Sequence, residues 1–346
     1  MSPAPPALVL VTGATGFVGS AVARRLAAHG HAVHALARSS SVRTALDGLG
    51  VVWHDGDLEQ AGSLARACAA AARAAERDGR ALDVLHCAAR ISYRRADAEL
   101  LRRTNVEGTR AVLAACRASG VRRLCHVSSV VALGAVEDPA LELDDDAPLG
   151  GLMLDSAYAR TKAQAEELVL SARAGLDVVV ASPAVVFGAS EAGSNSQHFL
   201  ARAERGTLGP LSPPGSLTVV GLDDTAAGIV AVLERGARGR RYLLAESSWR
   251  LHELLDLAAR AVGRRGPPAV MPRALWGALV AGAALLERVR PAERATTEAL
   301  RLLGLHFRFR AWRARAELAW TPRPFAEVLA EIVRARGAGA APGARR

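Results

Sequence analysis

Tyr158-Ala159-Arg160-Thr161-Lys162 sets a phenol and a primary amine four residues apart. On a helix that spacing puts both on one face. A free phenol ionises near pH ~10, too high for ready proton exchange at neutral pH. A neighbouring ammonium favours the phenolate and lowers that value. A phenol tuned in this way gives a proton to a ketone oxygen as hydride reaches the carbon, and takes it from an alcohol in reverse. Tyrosine and lysine at this spacing are common by chance, so composition matters. Of the 44 basic residues only Lys162 is a lysine. Replacing lysine by arginine costs a surface cation little, but not a role that needs a compact, titratable ammonium.

Two further groups suit the same chemistry. The run Leu124-Cys125-His126-Val127-Ser128-Ser129 ends an apolar strand in two hydroxyls. One of them can donate a hydrogen bond to a developing alkoxide. Strand alternation forbids both from pointing the same way while the strand continues, and both serine positions stay open on the residues alone. Asn105, in Arg103-Thr104-Asn105-Val106-Glu107-Gly108-Thr109, lies in a helical stretch where asparagine and glycine are both unfavourable. A use that fits is an amide bonded to a mid-helix carbonyl and bridged by water to Lys162, forming a proton path. The plain alternative is a solvent-facing polar residue.

These groups need a scaffold. Apolar segments at 7–11, 32–37, 51–54, 83–86, 123–127 and 177–181 read as strands, and 17–29, 98–119 and 157–174 read as helices. Alternation of this kind predicts an α/β fold with a doubly wound parallel sheet. Ligands then belong at the carboxyl ends of the strands. Gly13, Gly16 and Gly19 fall between the first strand and its helix. Glycines there let a pyrophosphate approach the backbone and the helix N-terminus, which predicts a dinucleotide site. After the second strand the sequence Ala37-Arg38-Ser39-Ser40-Ser41-Val42-Arg43 holds no acid to accept from a ribose 2′-hydroxyl. Arg38, helped by Arg43, would instead pair with a 2′-phosphate, so NADP(H) is expected in preference to NAD(H). Asp57, followed by Leu58, is placed to meet the adenine or else to cap the next helix.

The assembled motifs resemble the extended short-chain dehydrogenase/reductase family, strongly over residues 8–190 and loosely beyond. They are TGATGFVG, Asp57, HCAA (His86 to Ala89), TNVEGT, VSS, YARTK and SPAVVFG (Ser182 to Gly188). The resemblance implies a Rossmann-type fold with Tyr158 as acid/base, Lys162 as its partner, Ser129 rather than Ser128 as oxyanion donor, and Asn105 as organiser of a proton relay. It implies a cofactor site of Gly13, Thr15, Gly16, Phe17, Val18, Gly19, Arg38, Arg43, Asp57, Leu58, Ala88, Ala89, Tyr158, Lys162, Pro183 and Val186. Within the family the chain looks closest to the group of dihydroflavonol reductases and 3β-hydroxysteroid dehydrogenases. It departs from the pattern in His86, in Ala159 after the tyrosine, and in Phe187.

Residues 1–188 are expected to form the cofactor and catalytic domain, receiving some later elements, residues 189–336 a substrate lobe, and residues 337–346 a frayed tail. Asn195, His198 and Phe199 are candidate substrate contacts in that lobe. Val130 and Val131 after Ser129 argue against a dehydratase, which needs a carboxylate pair there. The aromatic and apolar lobe favours a hydrophobic ketone or alcohol. A nucleotide-sugar epimerase is the alternative, although arginines such as Arg202 and Arg205 look unspecific.

The bulk properties bound the rest. The formal charge is +10, but the arginines are scattered without a base-reading module, which disfavours nucleic acid. Cys68, Cys87, Cys116 and Cys125 form no metal or disulfide pattern and no metal site is expected. The N-terminal residues lack a signal-peptide pattern, so a cytoplasmic enzyme, monomeric or homodimeric, is expected. The run 269–286 is too short and interrupted to span a bilayer. It reads as a buried helix, with a place on a membrane surface as the less favoured alternative.

Overall fold

Seven segments, most of them buried apolar runs, line up as one parallel sheet flanked by helices, a Rossmann-type α/β fold with additional C-terminal elements. The computed structural model describes residues 6–189, 195–289 and 297–339. Strands β1 (Leu8–Thr12), β2 (Ala32–Ala37), β3 (Val52–Asp55), β4 (Leu82–His86), β5 (Arg123–Val127) and β6 (Asp177–Pro183) alternate with helices α1 (Phe17–Ala28), α2 (Ala61–Arg77), α3 (Gly108–Ala118) and α4 (Ala157–Ser171). Later in the chain come β7 (Val185–Phe187), α5 (Asn195–Glu204), β8 (Ser216–Gly221), α6 (Leu222–Arg235), β9 (Arg241–Leu244), β10 (Ser247–Arg250) and α7 (Leu251–Ala261). They are followed by α8 (Arg273–Val289), α9 (Thr297–Leu303) and α10 (Phe325–Gly339).

The large sheet runs β9-β6-β5-β4-β1-β2-β3. Strand order reverses between β1 and β4, where Thr12 stands opposite His86. That reversal opens the crevice in which such sheets bind ligands. All but the edge strand β3 are buried on both faces, and their alternation divides the core in two. Val9, Val11, Leu85, Cys125 and Val179 meet Val22 and Leu26 of α1 and Ile229 and Leu233 of α6. Leu8, Leu10, Val84, Leu124 and Val178 meet Leu64, Val112, Cys116 and Val169 on the other side. A smaller sheet, β10-β8-β7, shares a separate core with α5, α7 and α10 built on Phe187, Leu200, Val219, Leu254 and Phe325.

Two local expectations are corrected. The single helix expected over 98–119 is broken by a π-helical turn at Arg102–Glu107, a wider winding that sets Asn105 off the regular ladder. The run expected to be a buried helix forms α8 but keeps only Trp276 buried, while Leu275, Leu279, Leu285 and Leu286 are 57%, 44%, 63% and 62% exposed. Among the described residues no helix is long and apolar enough to cross a membrane.

Candidate active site

The glycine turn sits at the carboxyl end of β1. Gly13 has φ +76°, and a Cβ there would lie 2.7 Å from Ala88 Cα. A Cβ on Gly19 would lie 2.1 Å from the Gly13 carbonyl oxygen. Only glycine permits this closeness, and it brings the N-terminus of α1 against the turn. Gly16 caps α1 without a side-chain bond, and no acid occupies the first turn, where Phe17 and Val18 lie. Free N–H groups and a positive helix end therefore face the crevice, as a pyrophosphate requires. Ala88 lies across from the turn, its N–H donating to Thr12 Oγ1 at 3.3 Å, and Leu58 is buried nearby against Gly108. Thr15 lies within the turn, Ala89 follows Ala88 after β4, and Pro183 and Val186 stand on β6 and β7. The residues present fit a dinucleotide.

Asp57 accepts from the Glu59 N–H at 3.0 Å, and Gln60, not Asp57, is the N-cap of α2. Arg38 is exposed after β2. Arg43, expected to support it on a phosphate, is instead paired with Asp55 and laid over the Trp53 ring at 4.9 Å.

Ser156 starts α4, its hydroxyl accepting from the Ala159 N–H at 3.2 Å. Tyr158 and Lys162 follow on one face of α4, both buried. The structure sets Ser129, not Ser128, beside the phenol, where its hydroxyl favours the ionised form of Tyr158, whereas Ser128 Oγ is buried without a partner. Ser129 also accepts from Val131 N, because it caps a short turn at Val130–Leu133. The expected lowering of the phenol by Lys162 is corrected. Burial holds Tyr158 well above its ordinary value, the nearby Tyr93 adds to this, and Ser129 rather than the ammonium draws it back. Tyr93 stands edge-on to Tyr158 at 5.9 Å between ring centres. Lys162 Nζ donates to the Val127 carbonyl at 2.8 Å. Burial lowers its value to about 8, with Glu166 one turn further along opposing the shift.

Asn105 is buried, but its amide is not on a mid-helix carbonyl as expected. It accepts from Arg90 N at 2.8 Å and donates to Arg90 O at 3.0 Å and to Thr161 Oγ1 at 3.2 Å, clamping the loop after β4 to α4. Sequence reasoning missed the chain of hydroxyls beside it. Thr109 donates to the Asn105 carbonyl at 2.6 Å and so accepts from His86 Nε2 at 3.0 Å. His86 Nδ1 then accepts from Thr12 at 2.7 Å. This fixes one neutral tautomer of His86, and burial with Lys162 nearby lowers its value to about 3. The family departure at His86 thus ties the end of β4 to the glycine turn. His126, beside it at 5.3 Å between rings, is buried with neither ring nitrogen hydrogen-bonded.

The side chains of Asn195, His198 and Phe199 lie outside the described ones. The C-terminal elements, with Pro139, instead frame a cavity of about 390 Å³ that includes Arg250, His252, Arg273 and His306 and no carboxylate. Nothing in the spacing of Arg250 and Arg273 along the chain marks them as neighbours. Among the described residues no group of His, Cys, Asp and Glu could hold a metal.

The NAD dependent epimerase/dehydratase family matches residues 9–245, from β1 to the end of the large sheet. The chain belongs to this family. It is 31% identical to sterol demethylase protein B of Methylococcus capsulatus, over 94% of this chain and 96% of that protein. It is equally 31% identical to a 4-hydroxy-2-methyl-3-oxo-4-farnesyl-3,4-dihydroquinoline-1-oxide ketoreductase of Stigmatella aurantiaca, over 90% and 91%. The crystal structure of gox2253 superposes with a TM-score of 0.83 at 28% identity, covering 96% of this chain and 98% of that one. The expected preference for NADP(H) is corrected by similar structures determined with NAD. They include dTDP-glucose 4,6-dehydratase from Streptomyces venezuelae (TM-score 0.69, 24% identity, 94% and 95% covered) and UDP-glucose 4-epimerase from Thermus thermophilus (TM-score 0.71, 22% identity, 96% and 99% covered). The engagement of Arg43 with Asp55 and Trp53 is the physical counterpart in this chain. The family match supports NAD-linked oxidoreductase or epimerase chemistry on a small molecule.

Proposed function

We propose that this protein moves a hydride between NAD(H) and a secondary carbinol or ketone carbon of a small molecule, with Tyr158 as acid/base. The observation that carries this reading is the buried Tyr158 phenol one helical turn from buried Lys162, the only lysine, with Ser129 alongside. NAD(H), when bound, supplies or accepts the hydride. Gly13, Gly16, Gly19 and the first turn of α1 would hold its pyrophosphate end, and Lys162 would meet the nicotinamide ribose. Burial keeps the Tyr158 phenol in its protonated, donor form at neutral pH but makes it a weaker acid than a free phenol, and Ser129 opposes that shift. Ser129 donates to the substrate's carbonyl oxygen as negative charge builds, while Asn105 and Thr161 fix the helix that carries Tyr158.

Of the substrate classes, nucleotide sugars lead. The family and the fold neighbours back them, and the carboxylate-free cavity with Arg250 and Arg273 suits a phosphorylated leader group. The second reading, net reduction of a hydrophobic ketone, rests on two near-full-length relatives, one named for a sterol and one a ketoreductase. It also accommodates the narrower resemblance to dihydroflavonol reductases and 3β-hydroxysteroid dehydrogenases. Incubation with UDP-glucose or UDP-galactose separates the two classes. Interconversion of the sugars without net change in NADH absorbance supports the first, and NADH consumption with hydrophobic ketones alone supports the second. Tyr158→Phe should lower kcat for the active substrate by roughly 10²–10⁴-fold while NADH binding, followed by fluorescence, changes little. Retained turnover in that variant defeats the assignment.

A further inference from the structure

Helix α8 violates the usual division of a surface helix into a buried apolar stripe and a polar outer face. Residues 274–286, AlaLeuTrpGlyAlaLeuValAlaGlyAlaAlaLeuLeu in one-turn-after-another succession, contain no ionisable, amide or hydroxyl side chain. Trp276 packs inward, and Val280, Ala283 and Ala284 are half-buried, yet Leu275, Leu279, Leu285 and Leu286 point to solvent. The apolar surface continues onto the main body. Leu154 lines one depression with Trp276, Gly277, Val280 and the Asp155–Arg301 ion pair, and the adjoining Met153 and Leu152 are 88% and 37% exposed. A patch of this kind marks an interaction surface.

Charge decides what covers it. Arg273 and Arg288 are exposed at the two ends of the helix. Its one acid, Glu287, accepts from the Thr297 N–H at 2.8 Å rather than facing outward. The chain as a whole carries a formal +10. Leucines between cations on a basic molecule match the boundary of an anionic bilayer, where acyl chains and phosphates lie at adjacent depths. Two copies of so basic a chain, brought together through this face, would instead repel.

We propose that α8 lies flat on an anionic phospholipid surface, with Leu275, Leu279, Leu285 and Leu286 at the acyl boundary and Arg288 at headgroup phosphates. The helix lies on the bilayer and does not cross it. Its neighbour α9 is latched to the start of the catalytic helix, since Ser156 donates to Glu298 at 2.6 Å and Arg301 pairs with Asp155. The lipid surface would therefore lie beside the end of α4 that carries Tyr158. This goes beyond the NAD-linked chemistry and does not depend on it.

The test is sedimentation of the full chain with vesicles of phosphatidylglycerol and phosphatidylcholine, and with phosphatidylcholine alone, at low and high salt. The expected result is binding to the anionic vesicles at low salt, release at high salt, and weak binding to the neutral ones. The double variant Leu279→Glu, Leu286→Glu should lose about tenfold in partitioning with an unchanged thermal midpoint, because both side chains are exposed. Leu49→Glu, an exposed leucine elsewhere, should partition as the parent does. No binding to anionic vesicles at low salt overturns the proposal. So does a double variant that converts a dimer to a monomer in sedimentation velocity, which would assign the face to a second copy.

Discussion

At the scale of single residues, Lys162 carries a cost that only function explains. An ammonium with one carbonyl partner and almost no exposure is held at about 8, whereas its ordinary value is 10.5. The unfolded chain therefore binds more protons than the folded one between those two values, and folding stability gains as pH rises through that window. The gain is on the order of 3 kcal/mol, with the full burden present below about pH 8. Urea unfolding at several pH values should show this rise in the parent and not in Lys162→Met, so parallel pH profiles for the two proteins would refute a buried, depressed ammonium. The sequence made this residue legible through its rarity. It could not reveal that the phenol beside it is raised, because that shift comes from burial and from Tyr93, which is distant in sequence.

Elements set what those residues can reach. The turn between β1 and α1 leaves no room for a side chain at Gly19, so Gly19→Ala should displace the Gly13 carbonyl and weaken NADH binding at least tenfold. Overpacking of this kind also costs ~1–3 kcal/mol, and an unchanged NADH affinity by fluorescence titration would refute the tight turn. The strand–turn–helix order around these glycines was readable because strand and helix periodicities differ and the glycines fall between them. The six N-terminal strands were likewise readable as buried apolar runs. The π-helical turn at Arg102–Glu107 was not, because asparagine and glycine in a helix signal only that something is irregular. Nor was the exposure of α8, since periodicity cannot separate a buried helix from one that a different surface covers. The hydroxyl chain from Thr12 through His86 to Thr109 joins elements 74 and 23 residues apart, and spacing along the chain carries no trace of it.

Across the whole molecule, buried histidines govern the response to acid. His86 lies at about 3 and His126 well below its ordinary 6.5, both chiefly through burial. Below about pH 6.5 the unfolded chain takes up protons that these rings refuse, so stability falls with pH, by up to about 2–3 kcal/mol per pH unit for the pair. Unfolding free energies measured between pH 7 and 4.5 should decline accordingly, and a flat profile would exclude neutral, buried rings. A different global property follows from the sole lysine sitting inside α4. A protease that cleaves only after lysine has one place to cut this chain, and the native fold hides it. Each cut would therefore record one opening of the catalytic helix and leave two fragments, residues 1–162 and 163–346. The molecule thus carries its own single-event clock for unfolding, which bound dinucleotide should slow.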